Sequence, residues 1–391
     1  MIEALVLMPE VDFAADELPD LHEVLDTLRE QGPISPINFA GKTTWLINGY
    51  QTVKQLITDN EFLSAAAAYE VLSTPTIGKV LSTMTGAQHR LNRAVVANVF
   101  FPKKMRELAD TMFAVEAKLL VESLVGLESI DLVADYTRRY TFNNIARLLG
   151  IPSDDVAILE DWADRIMHSY LDLESAKTAG KEMSDYLLPI VTDRRKNLTG
   201  DVISLLIEST VDGEGLSDEE VLAFCKNLFP AAIDTSTNSL GSLIYLLLKN
   251  RKYLAYFDND GRAVDKVIDE MLRVEAPLVM IPRQCVKQVQ LGGYTLNPGD
   301  DVRICLAGAN LDKKQFKNPR VFDPSRKGRE MTFGHGEHFC LGSHMARRVI
   351  ETGIVTLFEH FPDMKLCENK QVEIVGGVLR GPRELWVNLN K

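Results

Sequence analysis

The chain has 391 residues, 46% hydrophobic and 25% charged, and a formal net charge of −12. That length can bury a large core, and the acidic balance disfavours a general nucleic-acid binder. No run approaches the roughly 20 apolar residues of a membrane span, the first residues lack the basic and apolar regions of a secretion signal, and five scattered cysteines argue against a disulfide framework.

The expectation is a cytoplasmic protein with no membrane or nucleic-acid partner. No linker, repeat or low-complexity segment divides it, so residues 1–391 read as a single domain. Leu21, Val24, Leu25 and Leu28 recur at helical spacing until Gly32-Pro33. Ile34–Phe39 and Thr43–Asn48 flank Ala40-Gly41 as a hairpin. Residues 60–82 show no clear period and read as loop or frayed helix. From 86 to about 250 nearly every segment has helical periodicity. The longest helix starts at Ser217, where Ser217 and Glu220 make a capping box, and runs to about Lys249. At ~1.5 Å per residue it spans roughly 50 Å. It is apolar nearly all round, as a buried helix crossing the molecule would be, and Pro230 removes one of its hydrogen bonds and favours a kink. A helix over about 262–275 follows, then strands over 284–305 with turns at Gly292-Gly293 and Pro298-Gly299-Asp300. A last helix covers about 342–360, and the tail is weakly β. The fold class is mainly α with a minor β region.

The most informative segment is Phe333-Gly334-His335-Gly336-Glu337-His338-Phe339-Cys340-Leu341-Gly342. Its glycines predict a tight loop with close backbone approach. The helix beginning just past Cys340 offers unpaired N–H groups and a positive dipole end, which favour a thiolate and a low thiol pKa. Taken alone, Cys340 also reads as a small buried hydrophobe, and His335, His338, Cys340 and His344 leave a zinc site open.

The loop matches F-G-x-G-x-H-x-C-x-G at every specified position, and Ala346-Arg347 continue the longer pattern. It resembles the cytochrome P450 family. With the segments below, the resemblance covers roughly residues 86 to 380. It implies the cytochrome P450 fold, with the long central helix over a haem b cofactor. Cys340 is then the axial iron ligand, Phe333 packs near its sulfur, and His338 and Gly342 belong to the same haem-binding loop. Backbone N–H groups after Cys340 would donate to the sulfur.

Three further segments fit this family in the right order. Glu270 and Arg273, at i and i+3, share a helix face and match its structural E-x-x-R pair, with Pro277 and Arg283 at family spacing after it. Arg283 would bind a haem propionate. Asp234-Thr235 follow Ala231-Ala232-Ile233 inside the long helix, where polar groups are costly without partners. Thr235 alone could simply bond the i−4 carbonyl. By resemblance the pair is the family's acid–alcohol relay, Thr235 hydrogen-bonding dioxygen and Asp234 supplying protons. His89 and Arg93, at i and i+4, would bind propionates. Ala232 stands where the family usually has Gly, Glu330 where many members have a propionate-binding His, and Val321 where a basic partner of the E-x-x-R pair is common. Arg320 is a candidate replacement for that partner.

The implied activity is a monooxygenase that inserts one oxygen atom from O2 into a small hydrophobic substrate. Two electrons would come from a ferredoxin-type or flavodoxin-type partner, and the protein is expected to be a monomer. The pocket would be lined by the 66–88 segment and by Phe229, Ala231, Ala232, Leu278, Val279, Met280 and Val378. Between residues 326 and 348, Arg326, Lys327, Arg329, Arg347 and Arg348 outnumber Glu330 and Glu337, a basic patch on an acidic chain that would steer an acidic donor, with Arg90, Lys103 and Lys104 bordering it. Two alternatives stand beside this reading: a peroxide-driven enzyme or isomerase, and a non-enzymatic metal- or haem-binding protein.

Overall fold

The computed structural model describes residues 11–15, 17–152, 155–257, 261–328 and 330–389, without the side chains of residues 261 and 262. Helix α1 (Leu21–Gln31) buries Leu21, Val24, Leu25 and Leu28, as their spacing predicts. Strands β1 (Ile34–Phe39) and β2 (Lys42–Ile47) pair antiparallel across Ala40-Gly41, both at positive φ as a two-residue hairpin turn requires.

Residues 60–82 are more regular than predicted. Strand β3 (Leu63–Ser64) leads into α2 (Ala65–Leu72), and α3 (Thr74–Ile77) follows. The Ser64 hydroxyl caps α2 by accepting from Ala67 N at 3.1 Å. Four consecutive alanines supply helix propensity without an apolar stripe, so periodicity cannot reveal this helix.

Helix α4 (Gly86–Ala97) precedes α5 (Arg138–Leu148), α6 (Val156–Met167) and α7 (Leu173–Arg194), and these last three pack against the central helix α8 (Asp218–Lys249). Its capping box is formed: Ser217 Oγ accepts from Glu220 N at 3.2 Å, and Glu220 Oε2 accepts from Ser217 N at 2.9 Å. Pro230 lies inside the helix, so the Lys226 carbonyl loses its usual helical donor.

Helix α9 (Gly261–Val274) precedes β4 (Met280–Cys285) and β5 (Asp301–Cys305), and α10 (Ser343–His360) follows the cysteine loop. Strand β4 starts before the predicted residue 284, because its burial does not alternate and so leaves no period-two signal. The sheet order is β1-β2-β5-β4-β3; β5 runs parallel to β2, and the other pairs are antiparallel. The largest core surrounds α8 and α10. Smaller cores cover the two faces of the sheet, one containing Leu46 and Met280, the other Ile47, Val302 and Ile304. Among the described residues no helix is long and apolar enough to cross a membrane.

Candidate active site

The cysteine loop closes through Cys340 N–H donating to Phe333 O at 2.9 Å. Gly334 and Gly336 have φ of 72° and 77°, and a Cβ on Gly336 would lie 2.6 Å from Thr58 Cγ2. Gly342 is the N-cap of α10 at φ −81° with open space beside it, so backbone strain does not require glycine there. Its N–H donates to the Cys340 sulfur. Burial nevertheless pushes the Cys340 thiol pKa up, against that N–H and the charges of Arg93 and Arg347. The low pKa expected from the helix terminus is therefore corrected: in the protein alone, desolvation outweighs the N–H and the cations. Arg347 lies over the Phe333 ring at 4.5 Å. Among the described residues no three His, Cys, Asp or Glu side chains converge as a metal set, so the zinc arrangement is not formed.

Facing the loop, α4, β4 and the loop itself bring His89, Arg93, Arg283 and His338 into one electrostatic cluster. His89 and Arg283 are 1% and 2% exposed, and the His89 and His338 rings meet edge-on at 4.7 Å. Among the described residues, both His89 ring nitrogens, His338 Nε2 and Arg283 Nε are buried without a hydrogen-bond partner; the Glu337 carboxylate stands off at 4.0 Å from His89 Nδ1 and 3.6 Å from His338 Nε2. Arg283 otherwise donates to Pro282 O and Ile57 O at 2.8 and 3.0 Å, and Arg93 donates to Phe339 O at 2.6 Å. Burial, helped by the charges of His89 and Arg283, pushes His338 down to about 4. Orphaned donors of this kind are costly unless something accepts from them, and the set fits the two carboxylates of a haem.

Helix α8 carries Asp234 and Thr235, both half-buried. The Thr235 hydroxyl donates to Ala231 O at 2.9 Å, the i−4 bond a buried threonine can make. Ala231 is exposed although Pro230 and Ala232 are buried, so the helix wall opens there to an accessible space. Asp234 Oδ1 lies 3.4 Å from Arg138 Nη1 on α5, and Arg138 also pairs with Glu160 on α6. Burial pushes the Asp234 carboxyl up, against the pull of Arg138. No motif marks Arg138 or Glu160; their roles arise only when three helices meet.

The predicted pocket residues divide. Leu278 and Val378 are half-buried, and Val279 N–H donates to Val378 O at 2.8 Å. Phe229 is fully buried, its ring 5.7 Å from Phe142, and Val279 is also fully buried. Both are corrected from lining to core: for Phe229, a helix apolar all round does not reveal which side faces a cavity, and Val279 packs in the core beside Leu46 and Met280. Ala232 and Met280 are buried as well, behind the accessible residues.

Glu270 and Arg273 form a buried two-bond pair, 2.8 Å at each contact. The additional basic partner is Arg326, whose Nε lies 3.0 Å from Glu270 Oε1. Arg320 instead pairs at the surface with Glu23 and Asp26, so that suggestion is corrected. Glu330 caps Thr332 N at 2.9 Å and lies 3.5 Å from Arg347, which also pairs with Asp269 at 2.7 Å. Arg348 pairs with Asp265 and Glu351. The predicted basic patch is thus largely neutralised: Arg326, Arg347 and Arg348 are held in ion pairs. Arg329 lies outside the described residues. Lys327, Arg90 and Lys103 remain exposed and carry no ion pair among the described residues, while half-buried Lys104 lies 3.8 Å from Glu107.

A cysteine loop set against a cluster of buried donors, together with a long central helix that carries an Asp-Thr pair, defines the haem-thiolate class. The Cytochrome P450 family profile matches residues 156–256 and 262–384. Cytochrome P450(BM-1) of Priestia megaterium is 29% identical over 358 residues, covering 87% of each chain. The Bacillus subtilis bacillaene polyketide synthase cytochrome P450 PksS superposes with a TM-score of 0.85 at 26% identity, covering 95% of this chain and 97% of that one. CYP109E1 from Bacillus megaterium, solved with testosterone, superposes with a TM-score of 0.81 at 25% identity, covering 94% and 99%. The chain belongs to the cytochrome P450 family. It is an oxidoreductase with a haem cofactor, a haem-thiolate monooxygenase that uses O2, an organic substrate and a redox partner.

Proposed function

We propose that this enzyme inserts one oxygen atom from O2 into a hydrophobic substrate as a cytoplasmic, single-domain monomer, with electrons delivered singly by a ferredoxin-type or flavodoxin-type donor. The cofactor is haem b, whose iron the Cys340 thiolate would hold; when bound, the haem would supply the redox chemistry that side chains lack. His89, Arg93, Arg283 and His338 would hold its carboxylates. Phe333 and the Gly342 N–H shield and tune the sulfur. Glu270 and Arg273, joined by Arg326, fix the frame behind it. The observation that carries this assignment is the group of orphaned buried donors at His89, His338 and Arg283 beside the cysteine loop.

Asp234 and Thr235 move protons. Inserting one atom of O2 and releasing the other as water consumes two electrons and two protons, so a buried donor path is required. Asp234, its pKa raised by burial, can hold a proton at its carboxyl. Thr235, donating to Ala231 O, keeps its oxygen free to accept. Arg138 positions the Asp234 carboxylate and leads toward Glu160 and solvent. Ala231, Leu278 and Val378 form the apolar wall, and the testosterone bound by the CYP109E1 relative supports a hydrophobic substrate class.

The test is the spectrum of the reduced, carbon monoxide-treated protein, with haem b identified by its pyridine complex and product counted against NAD(P)H consumed. A thiolate-type band and product dependent on O2 and donor are expected. Loss of the band alongside stoichiometric zinc would favour a metal-binding protein. Turnover by peroxide alone would favour the peroxide-driven alternative, against which the intact Asp234-Thr235 pair stands.

A further inference from the structure

Arg303 has no place in the cofactor site, yet it is 7% exposed. Other buried arginines are accounted for: Arg273 by Glu270, Arg380 by Glu275 and the Leu18 carbonyl, and Arg283 by the haem carboxylates proposed above. Arg303 sits on β5, in register with Pro282 on β4 and Leu46 on β2. Residues paired across a sheet share a face, as do residues two apart along a strand. Arg303 therefore projects to the side of Leu46 and Met280, where Val378 and Tyr170 pack at the edge of the core.

On that side its guanidinium lies over the Phe39 ring at 3.9 Å, and Phe39 meets Tyr170 at 5.5 Å. The stack holds the guanidinium plane and leaves its edges free to donate. Asp301, on the exposed side, accepts from Nη2 at 2.9 Å. Among the described residues, Arg303 Nε is buried with no acceptor. Helix α2, which carries Tyr69, packs against β4 beside β5, and burial pushes the Tyr69 phenol pKa up against the charges of Arg283 and Arg303.

We infer that Arg303, with Tyr69, forms a carboxylate-binding subsite of the substrate pocket, so that the preferred substrates are apolar acids. This rests on the monooxygenase reading. The carboxylate would meet the buried edge of Arg303 while the apolar body lies along Val378 and Leu278 toward Ala231. A haem propionate is the other source of a carboxylate. Arg283 pairs across with Val302, on the opposite face of the sheet, so the substrate is the occupant assigned to Arg303.

Dodecanoic acid and its methyl ester, titrated into the holoenzyme by spectral shift and by calorimetry at neutral pH, test this. The thiolate band is recorded first, and its absence would overturn the underlying reading instead. The acid should bind roughly tenfold tighter than the ester or better. Arg303→Gln should erase that preference by weakening the acid alone, while Arg303→Lys retains part of it and haem loss is unchanged. Equal binding of acid and ester by the wild type overturns the subsite even if the glutamine variant does not fold. So does a preference that survives in Arg303→Gln, or a variant that sheds haem faster while still preferring the acid, which would give Arg303 to a propionate.

Discussion

At the level of single residues, the ligand role proposed for Cys340 sets it apart from the other cysteines. Cys340→Ser should abolish the thiolate band under carbon monoxide, because a neutral alcohol is a poor substitute for a soft thiolate. Cys225 and Cys305 are buried, their thiols pushed up to about 12 and about 11, and neither should affect the band when replaced. A band that persists in Cys340→Ser would move the ligand elsewhere. Thr235→Ala removes the hydroxyl on Ala231 O and should divert electrons into peroxide while substrate still binds; product formed per NAD(P)H is the measurement, and full coupling would shift suspicion to Ser236. The cysteine loop was legible because the pattern that carries it fixes residue type and spacing within one short run. Arg326 and Arg138 were not, since each finds its acid on an element distant in sequence. Arg320 misled for the same reason: adjacency to Val321 says nothing about which way a long side chain turns.

Elements expose a different limit. The central helix was readable nearly to its ends, because its capping box and the apolar residues recurring along its length are local signals, but the burial of its cation was not. Lys226 is 8% exposed, and its ammonium has only a weak contact, 3.5 Å to Thr76 O. Burial pushes its pKa from 10.5 down to about 8. Between those values the unfolded chain holds the proton and the folded one sheds it, so this group makes stability rise with pH through that window; below about 8 its full cost applies. Lys226→Met should therefore stabilise the protein at pH 7, by about 3 kcal/mol at most, and the gain should shrink toward the upper end of the window. Unfolding midpoints at the two pH values decide it. An equal gain at both would mean that packing, and not charge, is what the methionine improves. Helix α2 was missed for the opposite reason, its alanines giving propensity without pattern.

Across the whole molecule, charge placement bears on partner choice. With Arg347 held by Asp269 and Glu330, reversing it would break internal ion pairs, so a docking test belongs at exposed Lys327. Lys327→Glu should slow the first electron transfer from an acidic donor while substrate affinity stays the same, and the wild-type rate should fall as salt rises. A rate indifferent to both would place docking elsewhere. The five-stranded sheet has a further consequence, for synthesis. Strand β2 lies in register with β5, placing Trp45, Leu46 and Ile47 beside Val302, Arg303 and Ile304. Closing so long a loop is slow, and the partner strand leaves the ribosome only after most of the chain has been made. Until then the β1–β2 hairpin presents β2 as an open edge, able to pair with another nascent chain. The yield of folded enzyme should accordingly depend on translation speed and chaperone supply more steeply than its finished stability would indicate.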